Sequence, residues 1–213
     1  MDLEKFSDKI QRELSLRKLE MYRFSILFQE GHDKPHLELL SRAAILLSYA
    51  HWEGFIKASS TYYIKHINSQ KVLVADLKYP LQAAFISSHL RSASQSSKML
   101  FLGDVLSKID KDRTTVFFAR PDKCIDTESN LSSTAFKSLV LGLGLSYLVD
   151  YETRHAFIDG QLLSGRNQVA HGELTKFTRE EAEERLVAVR VLLDMYSDQL
   201  MDAARDRVYM AAP

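Results

Sequence analysis

Residues 157–173, Phe-Ile-Asp-Gly-Gln-Leu-Leu-Ser-Gly-Arg-Asn-Gln-Val-Ala-His-Gly-Glu, bring three polar side chains together on a helical pattern. Arg166, Asn167 and His171 fall within one six-residue span. At about 100° per residue, Asn167 and His171 stand one turn apart on the same face, with Arg166 beside them. A guanidinium can bind a phosphate through paired hydrogen bonds. An imidazole titrates near neutral pH and can transfer a proton. The three residues therefore form a set suited to handling a phosphodiester without a metal.

Two glycines flank this set. Gly172 follows the histidine directly and predicts the end of the helix, which places His171 in the last turn. There the negative end of the helix dipole favours the imidazolium form, as a general acid requires. Gly165 and Gly172 would also leave the backbone accessible to a ligand, although glycines at such positions equally often just mark the ends of helices.

Composition and periodicity predict an all-α fold of the helical-bundle type. With 46% hydrophobic residues, 8 glycines and 4 prolines, the chain has a globular composition that argues against extended linkers or an all-β fold. Apolar spacing predicts an N-terminal helix within residues 1–31 and a helical domain over residues 36–205. We expect the domain helices near 36–68, 132–149, 153–172 and 178–205, two short helices within 72–109, an irregular insertion at about 111–130, and a frayed tail at 206–213.

The second helical pattern carries two polar candidates, His51 and Glu53, in an otherwise apolar stretch. Both can be explained as helix-edge residues that are hydrogen-bonded or solvated. In a functional interpretation, Glu53 faces Arg166 and fixes its guanidinium. Trp52 is predicted to be a core residue, and Gly54 predicts a close helix approach or a kink.

Charge and cysteine content limit the classes of partner and compartment. The 28 basic residues cancel the 28 acidic ones, so any RNA contact must come from a local patch. A single cysteine, Cys124, cannot form an intramolecular disulfide. The first residues also lack the apolar core of a signal peptide. Both observations favour a cytoplasmic location. The longest apolar run, Leu139–Val149, is shorter than the ~20 residues that span a bilayer, so we expect a buried helix there and no membrane partner.

No metal or other cofactor is expected. His32 and His36 have the spacing of metal ligands on a helix, but Pro35 between them favours a turn. Two solvated loop histidines are the simpler interpretation.

The motif also carries a family resemblance. Arg166-Asn167-x-x-x-His171, followed by Gly172-Glu173, resembles the signature of the HEPN superfamily (higher eukaryotes and prokaryotes nucleotide-binding). Three flanking matches are similar to the pattern of RiboL-PSP-type HEPN proteins: His51 to Lys57, Ser129-Asn130-Leu131 and Leu143-Gly144-Leu145. The resemblance covers roughly residues 36–205, with residues 1–31 outside it or weakly matched.

Active members of this superfamily are metal-independent RNA endonucleases, so the resemblance implies a toxin or defence nuclease with catalytic residues Arg166, Asn167 and His171. It further implies RNA as the substrate, a homodimer that builds its site at the interface, and restraint by an antitoxin or other inhibitor protein. One alternative is a catalytically silent HEPN module that only dimerises or binds RNA or nucleotides. Without the resemblance, a surface arginine and a capping histidine would explain the motif, and a hydrolase based on Ser164 lacks the usual G-x-S-x-G elbow.

Overall fold

The computed structural model describes residues 1–30 and 33–211, which fold into a helical bundle. The helices are α1 (Leu3–Leu27), α2 (Lys34–Ser69), α3 (Tyr79–Ala93), α4 (Met99–Arg113), α5 (Pro121–Cys124), α6 (Ser133–Gly142), α7 (Val149–Glu152), α8 (Ser164–Ala170) and α9 (Arg179–Arg205), with a 3-10 turn at Val74–Asp76 and a π-helical segment at Phe157–Leu163. In these ranges β structure is limited to two isolated bridges, Leu73–Val116 and Leu77–Met210. The prediction of an all-α fold is confirmed.

The long helix α2 is the centre of the bundle because it packs against α1, α8 and α9. A helix that is apolar around most of its circumference must be buried on several sides, and Trp52, Phe55 and Tyr63 are all fully buried. Trp52 packs edge-on against Phe136 of α6 at 4.8 Å between ring centroids, which confirms the prediction that it is a core residue. At Gly54 the Arg17 guanidinium of α1 occupies the space that a Cβ would need, with Nη1 only 2.7 Å away, so this glycine makes room for a side chain of the neighbouring helix.

Side-chain caps fix where the long helices begin. The Asp33 and Ser132 side chains accept hydrogen bonds from the third residue beyond them, His36 and Ala135, at the starts of α2 and α6. At the start of α9, Thr178 and Glu181 form the reciprocal pair of a capping box. Local sequence therefore sets these helix starts.

The apolar run Leu139–Val149 does not form one buried helix, so the predicted helix over 132–149 is too long. Helix α6 ends at Gly142, and Gly144 adopts a left-handed backbone with φ +75. That conformation cannot continue an α-helix and suits glycine because it has no Cβ. Leu143 and Leu145 still reach the core from this non-helical segment.

The predicted insertion at 111–130 is fastened along α2. At one end Asn68 exchanges two hydrogen bonds with the backbone of Ala119, at 2.8 and 3.0 Å. At the other end the Leu131 N–H donates to the Tyr49 hydroxyl over 2.7 Å. The segment is irregular apart from α5 and the end of α4, which extends to Arg113. Phe117 and Leu131 anchor it in the core.

The C-terminal residues up to Ala211 are ordered, which contradicts the prediction of a frayed tail from residue 206. Tyr209 is fully buried and meets Tyr63 and His66 edge-on. Its carbonyl accepts from Lys78 N at 3.0 Å, and Ala211 N donates to Asp76 O at 2.8 Å. Burial of one aromatic ring holds the tail against the start of α3.

Candidate active site

The segment that leads into the motif is not a continuous α-helix. The sequence predicts one helix over 153–172, but α7 ends at Glu152, and a π-helical segment, Phe157–Leu163, runs directly into α8. Ile158 and Leu162 are buried in the core from the π segment. On its outer side, the Asp159 carboxylate accepts from the backbone N–H and the hydroxyl of Ser133 at the start of α6. The motif is therefore reached through a widened turn of helix that is pinned to a neighbouring helix end.

Gly165 brings α8 against α2. A Cβ at this position would lie 3.2 Å from Cγ2 of Ile45 on α2 and 3.8 Å from the Phe177 ring. Gly165 is buried, so it serves helix packing, and the hypothesis that it exposes backbone to a ligand is wrong. The next residue along α8, Arg166, is thereby held close to the surface of α2.

The Arg166 guanidinium has two neighbours. Nη1 donates to Oδ1 of Asn167 over 2.7 Å. The Tyr49 ring of α2 lies beneath the guanidinium, with Cζ 5.0 Å from the ring centroid, which is cation–π distance. Arg166 and Asn167 are both half-buried, so the motif presents a fixed charge at a partly open surface.

Tyr49 is itself held from two directions. Its hydroxyl accepts from Leu131 N and also faces the Glu53 carboxylate one turn further along α2. Burial raises the pKa of Tyr49 to about 12, the Glu53 carboxylate adds to that increase, and the Leu131 hydrogen bond and the Arg166 charge oppose it. The phenol is therefore neutral at any ordinary pH and acts as a ring and a hydrogen-bonding group.

Glu53 does not contact Arg166 directly. In the part of the chain that the structure describes, these two residues form no ion pair, and the Glu53 carboxylate instead accepts a long hydrogen bond of 3.5 Å from the Thr127 hydroxyl. Tyr49 precedes Glu53 by one turn and occupies the position next to the guanidinium. The hypothesis that Glu53 fixes Arg166 by direct contact is thus replaced by a connection through Tyr49.

His171 lies at the end of α8, where the sequence predicts it. Its backbone N–H donates to Asn167 O over 2.9 Å, and its side chain is exposed. Gly172 follows with φ +76, which confirms the predicted helix stop. Just beyond, the Arg42 guanidinium of α2 donates to the carbonyl oxygens of Glu173 and Thr175, at 2.7 and 3.0 Å, and so fixes the course of the chain after the motif.

His51 lies away from the motif, against α1. It is buried, and its Nε2 approaches the Glu20 carboxylate at 3.4 Å without the alignment of a hydrogen bond. Burial lowers the pKa of His51 and the nearby Arg17 lowers it further, while Glu20 has the opposite effect. His51 is the weaker of the two accessory candidates, and the fold places it in the packing between α1 and α2.

Of the two histidines with metal-ligand spacing, only His36 lies within the described residues. His32 lies outside the described residues, and His36 is exposed beside Asp33 at the start of α2. Across residues 1–30 and 33–211, no group of three or more His, Cys, Asp or Glu side chains has an arrangement that could hold a metal ion. Within the same ranges, none of the helices is both apolar and long enough to cross a bilayer.

The geometry defines a class: an all-helical bundle that displays an Arg-Asn-x-x-x-His motif at the end of a helix packed on the central helix. A sequence model of the RiboL-PSP-HEPN family matches residues 7–202, almost the whole chain. The chain belongs to this family. The match begins within α1, further towards the N-terminus than the resemblance over residues 36–205. Comparisons with curated proteins and with solved structures gave no match.

Membership of this family points to a ribonuclease-type or nucleotide-binding module. Tyr49 is the residue that sequence reasoning missed at this site. A signal was present, because Tyr49 lies four residues before Glu53 and so shares its helix face.

Proposed function

We propose that this protein is a metal-independent RNA endonuclease of the toxin or defence type. The observation that carries the proposal is the hydrogen bond from Arg166 to Asn167 on α8, with the exposed His171 at the end of the same helix. Asn167 and Tyr49 both contact the Arg166 guanidinium, and His171 follows Asn167 by one helical turn. Among the described residues, Asn167 takes the one side-chain hydrogen bond that Arg166 donates, so most of its five N–H donors remain available to a phosphate.

The chemistry is transfer within the RNA backbone. The 2′-oxygen of the ribose attacks the adjacent phosphorus as a base takes its proton, the bond from phosphorus to the 5′-oxygen breaks, and an acid protonates that oxygen. The products are a 2′,3′-cyclic phosphate and a free 5′-hydroxyl. Arg166 stabilises the charge on the phosphate, His171 carries a proton, and Asn167 orients the guanidinium that it contacts.

A homodimer would complete the site, because in-line transfer needs a base and an acid and each motif supplies one histidine. The surface around the motif has apolar side chains that a second copy could cover. Leu174, three residues beyond His171, is 93% exposed. Leu39 and Leu46 are 66% and 37% exposed and flank Arg42, which holds the chain just after the motif. A two-fold axis at this face would bring two copies of His171 into one groove.

Cleavage of a labelled RNA in the presence of EDTA tests this function. The wild-type chain should cleave and leave a 2′,3′-cyclic phosphate, and His171→Ala should lose about 100-fold or more of the activity because a proton carrier is removed. His89→Ala is the matched control, since this half-buried histidine pairs with Asp112 on α4 and has no part in the motif. Activity that depends on added Mg²⁺, or full activity of His171→Ala, would defeat the proposal. Tight RNA or nucleotide binding without cleavage would identify the alternative, a silent binding or dimerisation module.

Regulation by a partner is part of the same proposal. A nuclease without a metal requirement is active whenever its site is assembled, so an antitoxin or other inhibitor protein that covers α8 would restrain it. Co-expression of the wild-type chain with genes that neighbour its own should relieve growth arrest in a host where His171→Ala causes none. Equal toxicity of the wild-type chain and His171→Ala would contradict this role.

A further inference from the structure

We propose that Tyr49 is a positioning residue for Arg166, holding the guanidinium over its ring so that the free N–H groups face the site of the phosphate. The inference rests on the proposed function only for its effect on RNA, because the effect on Arg166 itself can be observed without any substrate. In this proposal Glu53 helps to hold Tyr49 in place, because its carboxylate faces the Tyr49 hydroxyl.

Two contacts on the guanidinium come from different directions. Asn167 accepts a hydrogen bond from Nη1 at 2.7 Å, whereas Cζ of the group lies over the Tyr49 ring, 5.0 Å from the ring centroid. The hydrogen bond alone leaves rotation about its own axis, and the ring contact alone leaves the direction of the N–H groups free. Together they set one orientation, and the bidentate grip on a phosphate depends on that orientation.

The ring is a fixed support because both ends of Tyr49 are anchored. Its Cα lies in the buried centre of α2, and only 3% of the residue is exposed. Its hydroxyl is held by Leu131 N and faces the Glu53 carboxylate. The insertion that precedes α6 is thereby connected to the motif through one aromatic side chain.

If Tyr49 served only the core, its loss would have the same effects as the loss of another buried tyrosine. Tyr63 is a suitable tyrosine for this comparison. Tyr63 lies on the same helix, is fully buried, and packs against Phe6 and Tyr209 rather than against the motif. Loss of either ring should lower stability, but only loss of Tyr49 should alter Arg166.

The direct test is the Nε–Hε resonance of Arg166 in a ¹H–¹⁵N spectrum of the full chain, assigned by its loss in Arg166→Lys. In the wild type the Tyr49 ring current should move Hε upfield from the position of solvated arginines. Tyr49→Phe should keep this shift, Tyr49→Leu should abolish it, and Tyr63→Leu should leave it in place. An unshifted wild-type resonance would overturn the proposal even if no Tyr49 variant folds, and an unchanged shift in Tyr49→Leu would do the same.

The functional test is a double-mutant cycle on binding of a non-cleavable 2′-O-methyl RNA. Tyr49→Leu should weaken binding about tenfold when Arg166 is present and about twofold or less in the Arg166→Ala background. Equal losses in both backgrounds would show that Tyr49 acts independently of Arg166 and would contradict the inference. If the wild-type chain neither binds nor cleaves RNA, the proposed function fails, whereas the resonance of Arg166 still decides the role of Tyr49.

Discussion

Arg166 donates to the side-chain oxygen of Asn167 over 2.7 Å, so two consecutive motif residues contact each other directly. A neutral amide can orient a guanidinium without cancelling its charge, which leaves that charge available to a phosphate. In the proposed site a carboxylate at position 167 would therefore not replace the amide.

Asn167→Asp should accordingly impair cleavage more than Asn167→Ala does. The carboxylate would neutralise Arg166 and repel the RNA phosphate, whereas alanine only removes an orienting contact. We expect a further loss of about tenfold in kcat/KM and a salt dependence of RNA binding that is weaker by about one phosphate contact. Equal activity of the two variants would show that Asn167 does not tune the charge of Arg166.

Arg166→Lys should lose most of the cleavage activity although it keeps the charge. Lysine lacks the planar group that can lie on the Tyr49 ring and offer two parallel donors to a phosphate. We expect a loss of about 100-fold in kcat/KM, measured on labelled RNA, with little change in melting temperature. Arg154→Lys, at a half-buried arginine 3.7 Å from Asp150, is the control and should retain wild-type activity.

Gly165→Ala should destabilise the protein, contrary to the usual effect of alanine in a helix. Its Cβ would lie 3.2 Å from Ile45 and force α8 away from α2, so we expect a cost of ~1–2 kcal/mol in the free energy of unfolding. Gly103→Ala on α4 is the matched control because, among the described residues beyond its own stretch of helix, no atom lies within 4 Å of the place its new methyl group would take. This substitution should add up to ~1 kcal/mol. Urea denaturation measures both, and a stabilised Gly165→Ala would refute the close approach of the two helices.

Stability should fall as the pH drops below the normal range of histidine. Burial lowers the pKa of both His51 and His66 from 6.5 in the folded state, so the unfolded chain binds protons that the native chain does not. The stabilisation is therefore complete above pH 6.5 and is lost on acidification, by up to ~1 kcal/mol per pH unit for each histidine.

The measurement for this pH effect is the urea midpoint between about pH 7.5 and about pH 5.5. His51→Gln combined with His66→Gln should flatten the dependence, since glutamine does not titrate. A slope as steep as that of the wild type would assign the effect to other groups.

A heterodimer of one wild-type chain and one His171→Ala chain should have far less than half of the wild-type activity. If each active site needs a histidine from both copies, one substitution damages both sites. Purification through two different affinity tags isolates this species, and half of the wild-type activity would mean that the sites are independent.

Leu174→Asp should weaken the same dimer, as seen by sedimentation, because it places a charge on the exposed apolar surface beside the motif.

Local sequence was sufficient to predict most of the helices. The predicted ranges 36–68 and 178–205 agree with Lys34–Ser69 and Arg179–Arg205 because apolar periodicity and side-chain caps act over a few residues. The ordered tail could not be predicted in this way, since the burial of Tyr209 depends on Tyr63, far away along the chain. The end of α6 at Gly142 was missed because the apolar run continues through the non-helical residues that follow.

The candidate site also has a part that local sequence predicts and a part that depends on contacts between distant helices. The spacing alone placed Arg166, Asn167 and His171 in one candidate site. In the structure the first two side chains share a hydrogen bond, and His171 lies exposed at the end of the same helix. The sequence shows that Tyr49 shares a helix face with Glu53, but its contact with Arg166 joins two distant helices and follows from the packing of α8 on α2. The direct contact expected of Glu53 failed for this reason, because Tyr49 on the same helix face lies closer to the guanidinium.

The π-helical segment at Phe157–Leu163 lets the chain hold one additional residue without changing the direction of the motif. Such a segment has about one more residue per hydrogen-bonded turn than an α-helix, so it has the form of a one-residue insertion that is absorbed locally. Deletion of one residue there should restore α-helical pitch and leave the residues beyond it on nearly the same faces, so Gly165 would still face α2. Deletion of one residue within α8, where no π turn absorbs the change, would rotate everything beyond it by about 100°. Among relatives of this protein, loss of a single codon should therefore be tolerated more readily in the π-helical segment than in α8.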